Sequence, residues 1–469
     1  MRVGRWLIVS AALVVTGTMG SSADGASGYI NWPAYLYSVR HSSDAVTATA
    51  ITPANAGAVK LLWKFAPDTA PISGLGGFFA SPTVYNGTIY IGARNGYFYA
   101  IDEATGGVLW KRFVGYVTGK TCGPQGFTST ASVLPDPTSG DPTVYVYGAT
   151  GDLYAMDTAT GADVWPPAEV AVPSTTTNNY YAWGSPLVAG GHIYVGISSQ
   201  CDKPLVQGGV KEFSQATGAL ENTYWSTPTG TVGASIWSSP VTTGSYVFVT
   251  TGNGNRPKSD GYSIVKLSPS LARIGAWKVP AAAQDVDSDF GGSPGIWTAS
   301  VNGAATTMVG ACNKNGSFYA LNATRVGAGP IWSAPLGNPD SIGPGQCDAA
   351  PVWDGSHLYL AGNGTTINSV AYDGSVEEVD PGTGGTIWHT GLTGSVIGSP
   401  SLDGAGVLAA ATYGSTTSQN GVYLIDASTG AILRTITYGT AQTFGQPVFA
   451  DQYLLVASQG LGLRAYTVQ

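Results

Sequence analysis

The chain has 469 residues, of which 43% are hydrophobic and only 10% are charged, and its formal net charge at pH 7 is −8. A typical globular domain has about 25% charged residues, so low charge together with 66 Gly and 25 Tyr favours an all-β protein with many tight turns. The few Lys and Arg residues are scattered. This argues against nucleic-acid binding, because neutralising phosphates requires clustered positive charge. No stretch beyond the N-terminus is apolar for long enough to span a membrane.

Residues 1–26 have the pattern of a secretory signal peptide. A basic start at Arg2 and Arg5 precedes an apolar stretch, and small residues then allow cleavage after Ala23 or Ala26. This pattern predicts a secreted or periplasmic protein.

The main signal in the sequence is a repeat of four short apolar runs. Its first copy contains the runs Thr83-Val84, Ile89-Tyr90-Ile91-Gly92, Phe98-Tyr99-Ala100-Ile101-Asp102 and Val108-Leu109-Trp110-Lys111. Turn signals such as Asn86-Gly87 and Thr105-Gly106 separate the runs. The pattern is typical of a four-stranded β-meander.

Three markers identify the other copies of this repeat. A Pro begins the first strand at Pro82, Pro186, Pro240, Pro294, Pro351, Pro400 and Pro447. An Asp-x-x-Thr-Gly turn follows the third strand at Asp102, Asp157, Asp380 and Asp426. The fourth strand carries a Trp at Trp110, Trp165, Trp225, Trp277, Trp332 and Trp388, and Arg434 stands at the next such position. We expect these Trp residues to pack each blade on its neighbour.

The strand count predicts how the repeats close into a ring. Eight first strands are followed by only seven fourth strands, and residues 463–468 form a third strand at the chain end. The missing fourth strand lies upstream, in residues 59–65, with Trp63 in register. We therefore predict an all-β, eight-bladed propeller of four-stranded antiparallel blades over residues 59–469, closed by an N-terminal strand, with residues 27–58 as an N-terminal extension. Closure of this kind leaves no exposed sheet edge.

Four cysteines fit two disulfides in an exported protein. Cys312 lies in the loop between the second and third strands of blade five, and Cys347 lies in the loop that leads into blade six. Cys122 and Cys201 lie in loops of blades two and three on the same face. We favour the pairs Cys312–Cys347 and Cys122–Cys201, although four cysteines allow three connectivities and the sequence alone does not select one.

A denser motif cluster lies in blades four and five. It consists of Gly233-Ala234-Ser235-Ile236-Trp237, Thr251-Gly252-Asn253, Asp287-Ser288-Asp289-Phe290-Gly291-Gly292-Ser293-Pro294 and Asn313-Lys314-Asn315-Gly316. With this cluster and its Asp-x-x-Thr-Gly-x-x-x-Trp repeats, the chain resembles the quinoprotein dehydrogenases, which are propellers that bind pyrroloquinoline quinone (PQQ). Their polyvinyl-alcohol-dehydrogenase-like branch is the most similar.

The resemblance implies PQQ and Ca²⁺ as cofactors and gives roles to loop residues. Trp237 would be the aromatic floor under the quinone, and Asn253 would offer an amide oxygen to the Ca²⁺ that the cofactor binds. Asp289 would lie at the metal and act as the general base that takes the alcohol proton. Lys314 would stabilise negative charge on the quinone as it is reduced. Gln200 aligns near the acidic metal ligand of the family in blade three, so it is predicted as a metal ligand with Asn253 and Asp289, although it is neutral.

Two functions remain open from the sequence. The first is an exported alcohol dehydrogenase that acts on a small or polymeric alcohol and passes electrons to an external acceptor, because the chain has no CxxCH motif for haem. The second is a non-catalytic propeller that binds a protein or a carbohydrate, like the propeller scaffolds of outer-membrane assembly. The neutral Gln200 and the lack of a cofactor-binding arginine in blade two favour the second. Packing or turn formation would also explain Trp237, Asn253, Asp289 and Lys314.

Overall fold

The fold is given by a computed structural model, which describes residues 28–72, 75–119, 122–173, 179–254, 258–284, 287–337 and 347–469. The predicted signal peptide lies outside these residues. Within the described ranges the regular structure consists of β-strands and three short 3₁₀ helices at Ala56–Ala58, Ala281–Ala283 and Val326–Ala328. None of the helices in this part of the chain is long and apolar enough to cross a membrane.

The strands are numbered in chain order. They are β1 (Asp44–Ala45), β2 (Lys60–Phe65), β3 (Thr83–Tyr85), β4 (Thr88–Gly92), β5 (Tyr97–Asp102), β6 (Val108–Phe113), β7 (Val117–Gly119), β8 (Gly123–Gln125), β9 (Ser132–Pro135), β10 (Pro142–Tyr147), β11 (Asp152–Asp157), β12 (Asp163–Glu169), β13 (Tyr180–Tyr181), β14 (Leu187–Ala189), β15 (His192–Ser199), β16 (Gly209–Ser214), β17 (Leu220–Trp225), β18 (Val241–Thr242), β19 (Val247–Thr250), β20 (Ser263–Leu267), β21 (Arg273–Lys278), β22 (Gly295–Val301), β23 (Ala304–Asn313), β24 (Ser317–Asn322), β25 (Pro330–Pro335), β26 (Val352–Trp353), β27 (Leu358–Ile367), β28 (Val370–Val379), β29 (Thr386–Leu392), β30 (Ser401–Asp403), β31 (Val407–Thr412), β32 (Gly421–Asp426), β33 (Ile432–Thr437), β34 (Val448–Ala450), β35 (Tyr453–Ser458) and β36 (Gly462–Thr467).

These strands form eight antiparallel blades, which confirms the predicted propeller. Blades 1 to 7 are β3–β6, β9–β12, β14–β17, β18–β21, β22–β25, β26–β29 and β30–β33, and blade 8 is β34–β36 with β2. In blade 8, β2 pairs antiparallel with β36 and places Trp63 opposite Ala465, so an N-terminal strand closes the ring as expected. Outside this pattern, β1 pairs with β30, β13 pairs with β15, and β7 and β8 form a small hairpin.

In five blades a repeated Trp docks the blade on the next one. The indole Nε1 of Trp110 in blade 1 donates a hydrogen bond of 2.9 Å to the carbonyl oxygen of Thr158 in blade 2. Its ring lies against Gly161 of the Asp-x-x-Thr-Gly turn, where an added Cβ would come within 2.8 Å of the ring. Gly161 also has a φ of +71°, which other residues adopt only with strain. The turn therefore requires Gly both for its backbone and for the docked indole.

A one-residue β-bulge precedes the docking position on the fourth strand of every blade. The docking position is occupied by Trp63, Trp110, Trp165, Trp332 and Trp388 in five blades. Asn222, Gly275 and Arg434 stand there in blades 3, 4 and 7. Trp225 and Trp277 lie on fourth strands as predicted, but further along them.

A ring of hydrogen bonds joins neighbouring blades through the residues that lead into their buried first strands. In most blades a Ser or Thr hydroxyl ahead of the first strand accepts a bond from the corresponding backbone N–H of the blade before it. The donor–acceptor distances are 2.8–3.0 Å. The pairs, with the N–H donor first, are Ser81 to Thr130, Thr130 to Ser185, Ser185 to Ser239, Ser239 to Ser293, Ala350 to Ser399 and Gln446 to Ser81. Blade 6 has Ala350 at this position and offers no hydroxyl.

Residues 30–48 form a strap across the first strands, and we call this segment the N-terminal strap. Its carbonyl oxygens accept hydrogen bonds from the first strand, or the residue just after it, in seven of the eight blades. The donors are the N–H groups of Val84, Val133, Thr242, Ile296, Trp353, Leu402 and Asp451. The strap is therefore a second connection around the ring, additional to the pairing of β2 with β36.

Both predicted disulfides are confirmed. Cys122 pairs with Cys201 and Cys312 pairs with Cys347, with Cα–Cα distances of 6.3 Å and 5.0 Å. Cys122, Cys201 and Cys347 lie in loops, whereas Cys312 lies near the end of β23 and not in the loop after it, where the sequence placed it. Each disulfide joins two adjacent blades.

Candidate functional site

The structure brings together four of the residues singled out from the sequence. Trp237 and Asp289 lie in the loops that lead into blades 4 and 5, and Asn253 and Lys314 lie in the loops between the second and third strands of the same blades. Because successive strands are antiparallel, both types of loop emerge on one face of the propeller. We call this the upper face.

Asp289 is the centre of this group. Its Oδ2 accepts a hydrogen bond of 2.8 Å from the indole Nε1 of Trp237, and its Oδ1 lies 2.8 Å from the ammonium Nζ of Lys314. The same Nζ lies 5.1 Å from the centre of the Trp237 ring, which is within the range of a cation–π contact. The three side chains thus hold one another in fixed positions.

Burial and neighbouring charges determine the protonation states of Asp289 and Lys314. Asp289 is only 3% exposed, and burial raises its pKa to about 7, with Lys314 opposing the rise and Asp287 adding to it. Burial acts to lower the pKa of Lys314, but Asp289, Asp348 and Asp287 together outweigh burial and raise it. Lys314 therefore stays charged, while Asp289 can both hold and release a proton near neutral pH.

Asn253 joins two further carboxylates to the site. Its Nδ2 donates hydrogen bonds of 3.0 Å to Asp202 Oδ2 and 2.9 Å to Asp287 Oδ1. Asp287 in turn lies 3.1 Å from Lys314 Nζ. The amide oxygen of Asn253 is buried, and no described group donates a hydrogen bond to it.

Gln200 is placed differently from the other four residues. Its side chain is buried, and its amide Nε2 donates a hydrogen bond of 2.9 Å to the carbonyl oxygen of Gly123. The carboxylate that reaches Asn253 from this loop belongs to Asp202, two residues further along the chain. The hydroxyl of Ser199 binds Asp202 Oδ1 and holds it in place. In the sequence, Asp202 is marked only by its position next to Cys201.

Asp348 is a second acidic residue that the sequence did not reveal. It follows Cys347, and the disulfide to Cys312 ties its loop to blade 5. A Cβ added at Gly291 would lie 1.8 Å from Asp348 Oδ1 and 3.2 Å from the Trp237 ring. Only Gly fits between these two side chains, and Asp348 Oδ1 is buried without a hydrogen-bond partner among the described residues.

Arg94 lies on the upper face in blade 1 and was not singled out from the sequence. It precedes Asn95-Gly96 in blade 1, as Lys314 precedes Asn315-Gly316 in blade 5, and both loops join second to third strands on the upper face. Its Nη1 donates a hydrogen bond of 3.0 Å to Gln459 Oε1. Its Nε is buried and has no hydrogen-bond partner in the described structure. The repeat itself was the signal that would have found this position.

The residues fit a divalent cation and a flat anionic cofactor. The site holds four carboxylates, those of Asp202, Asp287, Asp289 and Asp348, and each lies close to Lys314 or Asn253. Among the described residues in these contacts, Lys314 carries the positive charge that opposes them. Carboxylate and amide oxygens are the ligands that Ca²⁺ prefers, and the unpartnered Asn253 Oδ1 is such an oxygen. Trp237 is only partly buried, which leaves ring surface for stacking.

Comparison with known structures shows that the fold is shared with PQQ-type propellers. The quinohemoprotein alcohol dehydrogenase from Comamonas testosteroni superposes with a TM-score of 0.72 at 18% identity, over 95% of this chain and 81% of that one. A europium-containing methanol dehydrogenase superposes with a TM-score of 0.71 at 16% identity, over 91% of this chain and 90% of that one. BamB from Moraxella catarrhalis gives a TM-score of 0.56 at 12% identity, over 87% of this chain and 99% of that one. No match is found among curated protein sequences.

The fold and its repeats thus define a propeller of the PQQ type. A family model described as outer membrane protein assembly factor BamB matches residues 47–269 and 372–469, which is more than half of the chain. The chain belongs to this family. Its position in a polyvinyl-alcohol-dehydrogenase-like branch stays a prediction.

Proposed function

We propose that this protein is an exported, quinoprotein-like dehydrogenase that oxidises an alcohol with PQQ and Ca²⁺ and passes the electrons to an external acceptor. One observation carries the proposal. Asp289 is a buried carboxyl held between an indole N–H and an ammonium group, beside the carboxylates of Asp202 and Asp287 that meet at Asn253. A bound cation would keep this carboxyl ionised, so that it could act as a base for the proton of an alcohol hydroxyl. The similarity to two alcohol-oxidising propellers supports the same reading at the level of the fold.

The proposed Ca²⁺ would be held by oxygens of Asn253, Asp289 and Asp202. The resemblance placed an acidic ligand near Gln200, and the neutral side chain there argued against a metal. Asp202 supports a metal in its place, because it comes from the same loop and its carboxylate lies 3.0 Å from the amide nitrogen of Asn253. Gln200, also predicted as a metal ligand, would then support the loop through its bond to Gly123.

The other residues of the site would position cofactor and substrate. When bound against Trp237, PQQ would supply the two-electron acceptor that the protein itself lacks. Asp289 would accept the proton of the alcohol hydroxyl on a carboxylate oxygen, and Lys314 would stabilise negative charge beside the indole. Arg94 would offer its guanidinium to a carboxylate of the cofactor.

Reconstitution tests this proposal directly. Purified protein is incubated with PQQ and Ca²⁺, quinone binding is followed by calorimetry, and dye reduction is measured with primary, secondary and polymeric alcohols. We expect binding and turnover with at least one alcohol class, and we expect Asp289→Asn to abolish turnover while binding stays largely intact. Asp403→Asn is the matched control, because burial also raises the pKa of Asp403 to about 7 but its blade 7 turn lies away from the upper face. A folded protein that binds no quinone would refute the proposal.

The second candidate function is a non-catalytic scaffold that binds a protein or a carbohydrate. The observation that favours it is the family match itself, whose description is an outer-membrane assembly factor. In that case the upper-face carboxylates would stabilise loops, and Asp289→Asn would change neither quinone binding nor dye reduction, since both would be absent.

A further inference from the structure

A cluster of one imidazole and two carboxylates lies on blade 3, away from the candidate functional site. His192 Nδ1 is 3.0 Å from Glu212 Oε1 and 2.7 Å from Glu221 Oε2, and one atom from each residue lies within 4.8 Å of the other two. His192 begins β15, Glu212 is near the end of β16, and Glu221 is near the start of β17. These strand ends belong to the face opposite the upper face.

The bulge of blade 3 is what brings the second carboxylate into the cluster. Leu220 pairs with Phe213 and Asn222 pairs with Glu212, so Glu221 is the unpaired bulge residue. A bulge re-aims a side chain that would otherwise point to the other face of its sheet. In the other seven blades the bulge residue is apolar, namely Leu62, Leu109, Val164, Ile274, Ile331, Ile387 and Leu433.

Blade 3 also departs from the repeat at the docking position. Asn222 replaces the Trp found in five blades, and its Nδ2 donates a hydrogen bond of 2.8 Å to Glu212 Oε2. This bond fixes one carboxylate oxygen and leaves the other directed at His192. An outer hydrogen bond of this kind is what orients a ligating carboxylate in metal sites. Two independent departures from the repeat thus serve the same cluster.

One proton on His192 does not satisfy both carboxylates of the cluster. A ring Nδ1 carries at most one hydrogen, so it cannot make a full hydrogen bond to both carboxylates at once. The Glu212 side chain is only 2% exposed, whereas that of His192 is 38% exposed. A buried carboxylate beside a second carboxylate is stabilised by a bound cation or by a proton of its own, and the exposed edge of His192 leaves a route by which a cation could enter from solvent.

We propose that His192, Glu212 and Glu221 form a binding site for a divalent transition-metal ion of the Zn²⁺ class. Imidazole nitrogen with two carboxylate oxygens suits Zn²⁺ and its neighbours, and the nitrogen ligand disfavours Ca²⁺ and Mg²⁺. The ion would replace the proton on Nδ1 and join β15, β16 and β17, at a blade that lacks the Trp dock to its neighbour. The proposal is independent of the proposed dehydrogenase function.

Titration with Zn²⁺ alone tests the site. The full chain is treated with EDTA, dialysed, saturated with Ca²⁺ to fill the upper face, and titrated with ZnSO₄ by calorimetry. We expect one Zn²⁺ per chain and a rise in the melting temperature on binding. His192→Ala and Glu221→Gln should each abolish this binding, and Asn222→Ala should weaken it about 10-fold or more, as loss of an outer-shell bond does. Co²⁺ in place of Zn²⁺ should give a visible absorption band that is missing in His192→Ala.

Two control variants make the result specific. His357→Ala removes another histidine whose Nδ1 lies 2.9 Å from a carboxylate, that of Asp354, and it should leave Zn²⁺ binding unchanged. Asn253→Ala alters the upper face and should also leave it unchanged. The proposal is overturned if wild-type protein takes up no Zn²⁺, or if Glu221→Gln, which alters a side chain that is about one-third exposed and should fold normally, binds Zn²⁺ as tightly as wild type.

Discussion

The ring of hydroxyl-to-backbone hydrogen bonds makes a quantitative prediction about the stability of the propeller. Ser185→Ala removes the hydroxyl that accepts the 2.9 Å hydrogen bond from the backbone N–H of Thr130. Both residues are buried, at 4% and 2% exposure, so water cannot replace the lost acceptor. Steric strain does not enter, because Ala350 already occupies the equivalent position in blade 6.

The expected loss of stability comes from the backbone N–H of Thr130, which is left without a hydrogen-bond acceptor. A buried donor left without a partner costs about 1–3 kcal/mol of the free energy of unfolding. Ser399→Ala strands a different donor, the N–H of Ala350 in blade 6. Because the two changes lie in blades 3 and 7 and orphan N–H groups that share no partner, the double variant should cost about twice as much as either single one, roughly 2–6 kcal/mol.

Equilibrium unfolding in urea, followed by Trp fluorescence with the disulfides intact, measures these costs. The midpoint should fall while the slope stays constant, because the exposed surface does not change. Ser401→Ala is the matched control. Ser401 is fully buried, but its hydroxyl has no hydrogen-bond partner among the described residues, so its removal should be neutral or stabilising. If Ser185→Ala costs no more than Ser401→Ala, the ring contributes nothing to stability and the reasoning fails.

Three further results are expected. Burial raises the pKa of Asp44 and of Asp403 to about 7, so the folded state holds protons that the unfolded chain releases. The free energy of unfolding should therefore fall by up to about 4 kcal/mol per group as pH rises from about 4 to about 7. In Asp403→Asn the urea midpoint should fall less across this range, because only Asp44 of the two still titrates, and an unchanged fall would contradict this cause. Replacing Cys312 and Cys347 by Ser should lower the free energy of unfolding by about 2–4 kcal/mol in the same urea assay, and an unchanged midpoint would contradict a stabilising role. Ca²⁺ at 100 times its dissociation constant should raise the free energy of unfolding by about 2.7 kcal/mol, and a thermal-shift assay should show that EDTA and Asn253→Ala each remove this gain.

The architecture was readable from the sequence because each marker of the repeat has a local physical cause. The Asp-x-x-Thr-Gly turn needs Gly161 for a positive φ and for the docked Trp110 ring. This turn marks four of the blades, and counting first strands against fourth strands gave the number of blades and the closing strand at Trp63. The sequence did not show that Trp225 and Trp277 lie outside the docking position, since an aromatic residue elsewhere on a fourth strand gives the same pattern.

The N-terminal strap could not be predicted in the same way. Its carbonyl oxygens make the bonds to the first strands, and any residue offers a carbonyl oxygen. It also turns through positive φ at Leu36, Tyr37, His41 and Ser43, with no Gly to mark the turns. Backbone contacts of this kind leave no pattern of residue types.

Four residues of the candidate site were predictable from the sequence and two were not, for a related reason. Strand alternation alone put Trp237, Asn253, Asp289 and Lys314 on one face of adjacent blades, and their contacts agree with that placement. Asp202 and Asp348 come from blades 3 and 6, and their approach depends on how neighbouring blades meet. Spacing along the chain carries no information about contacts across blades.

The disulfides connect this site to the compartment that the sequence predicts. Cys201 immediately precedes Asp202, and Cys347 immediately precedes Asp348. Each disulfide therefore anchors a loop that presents a carboxylate to Asn253 or to Lys314. Carboxylates that repel one another stay together only if their loops are fixed, because like charges at close range favour separation. Reduction would free both loops at once, so an oxidising location outside the cytoplasm would favour not only the fold but also the assembly of the acidic cation site.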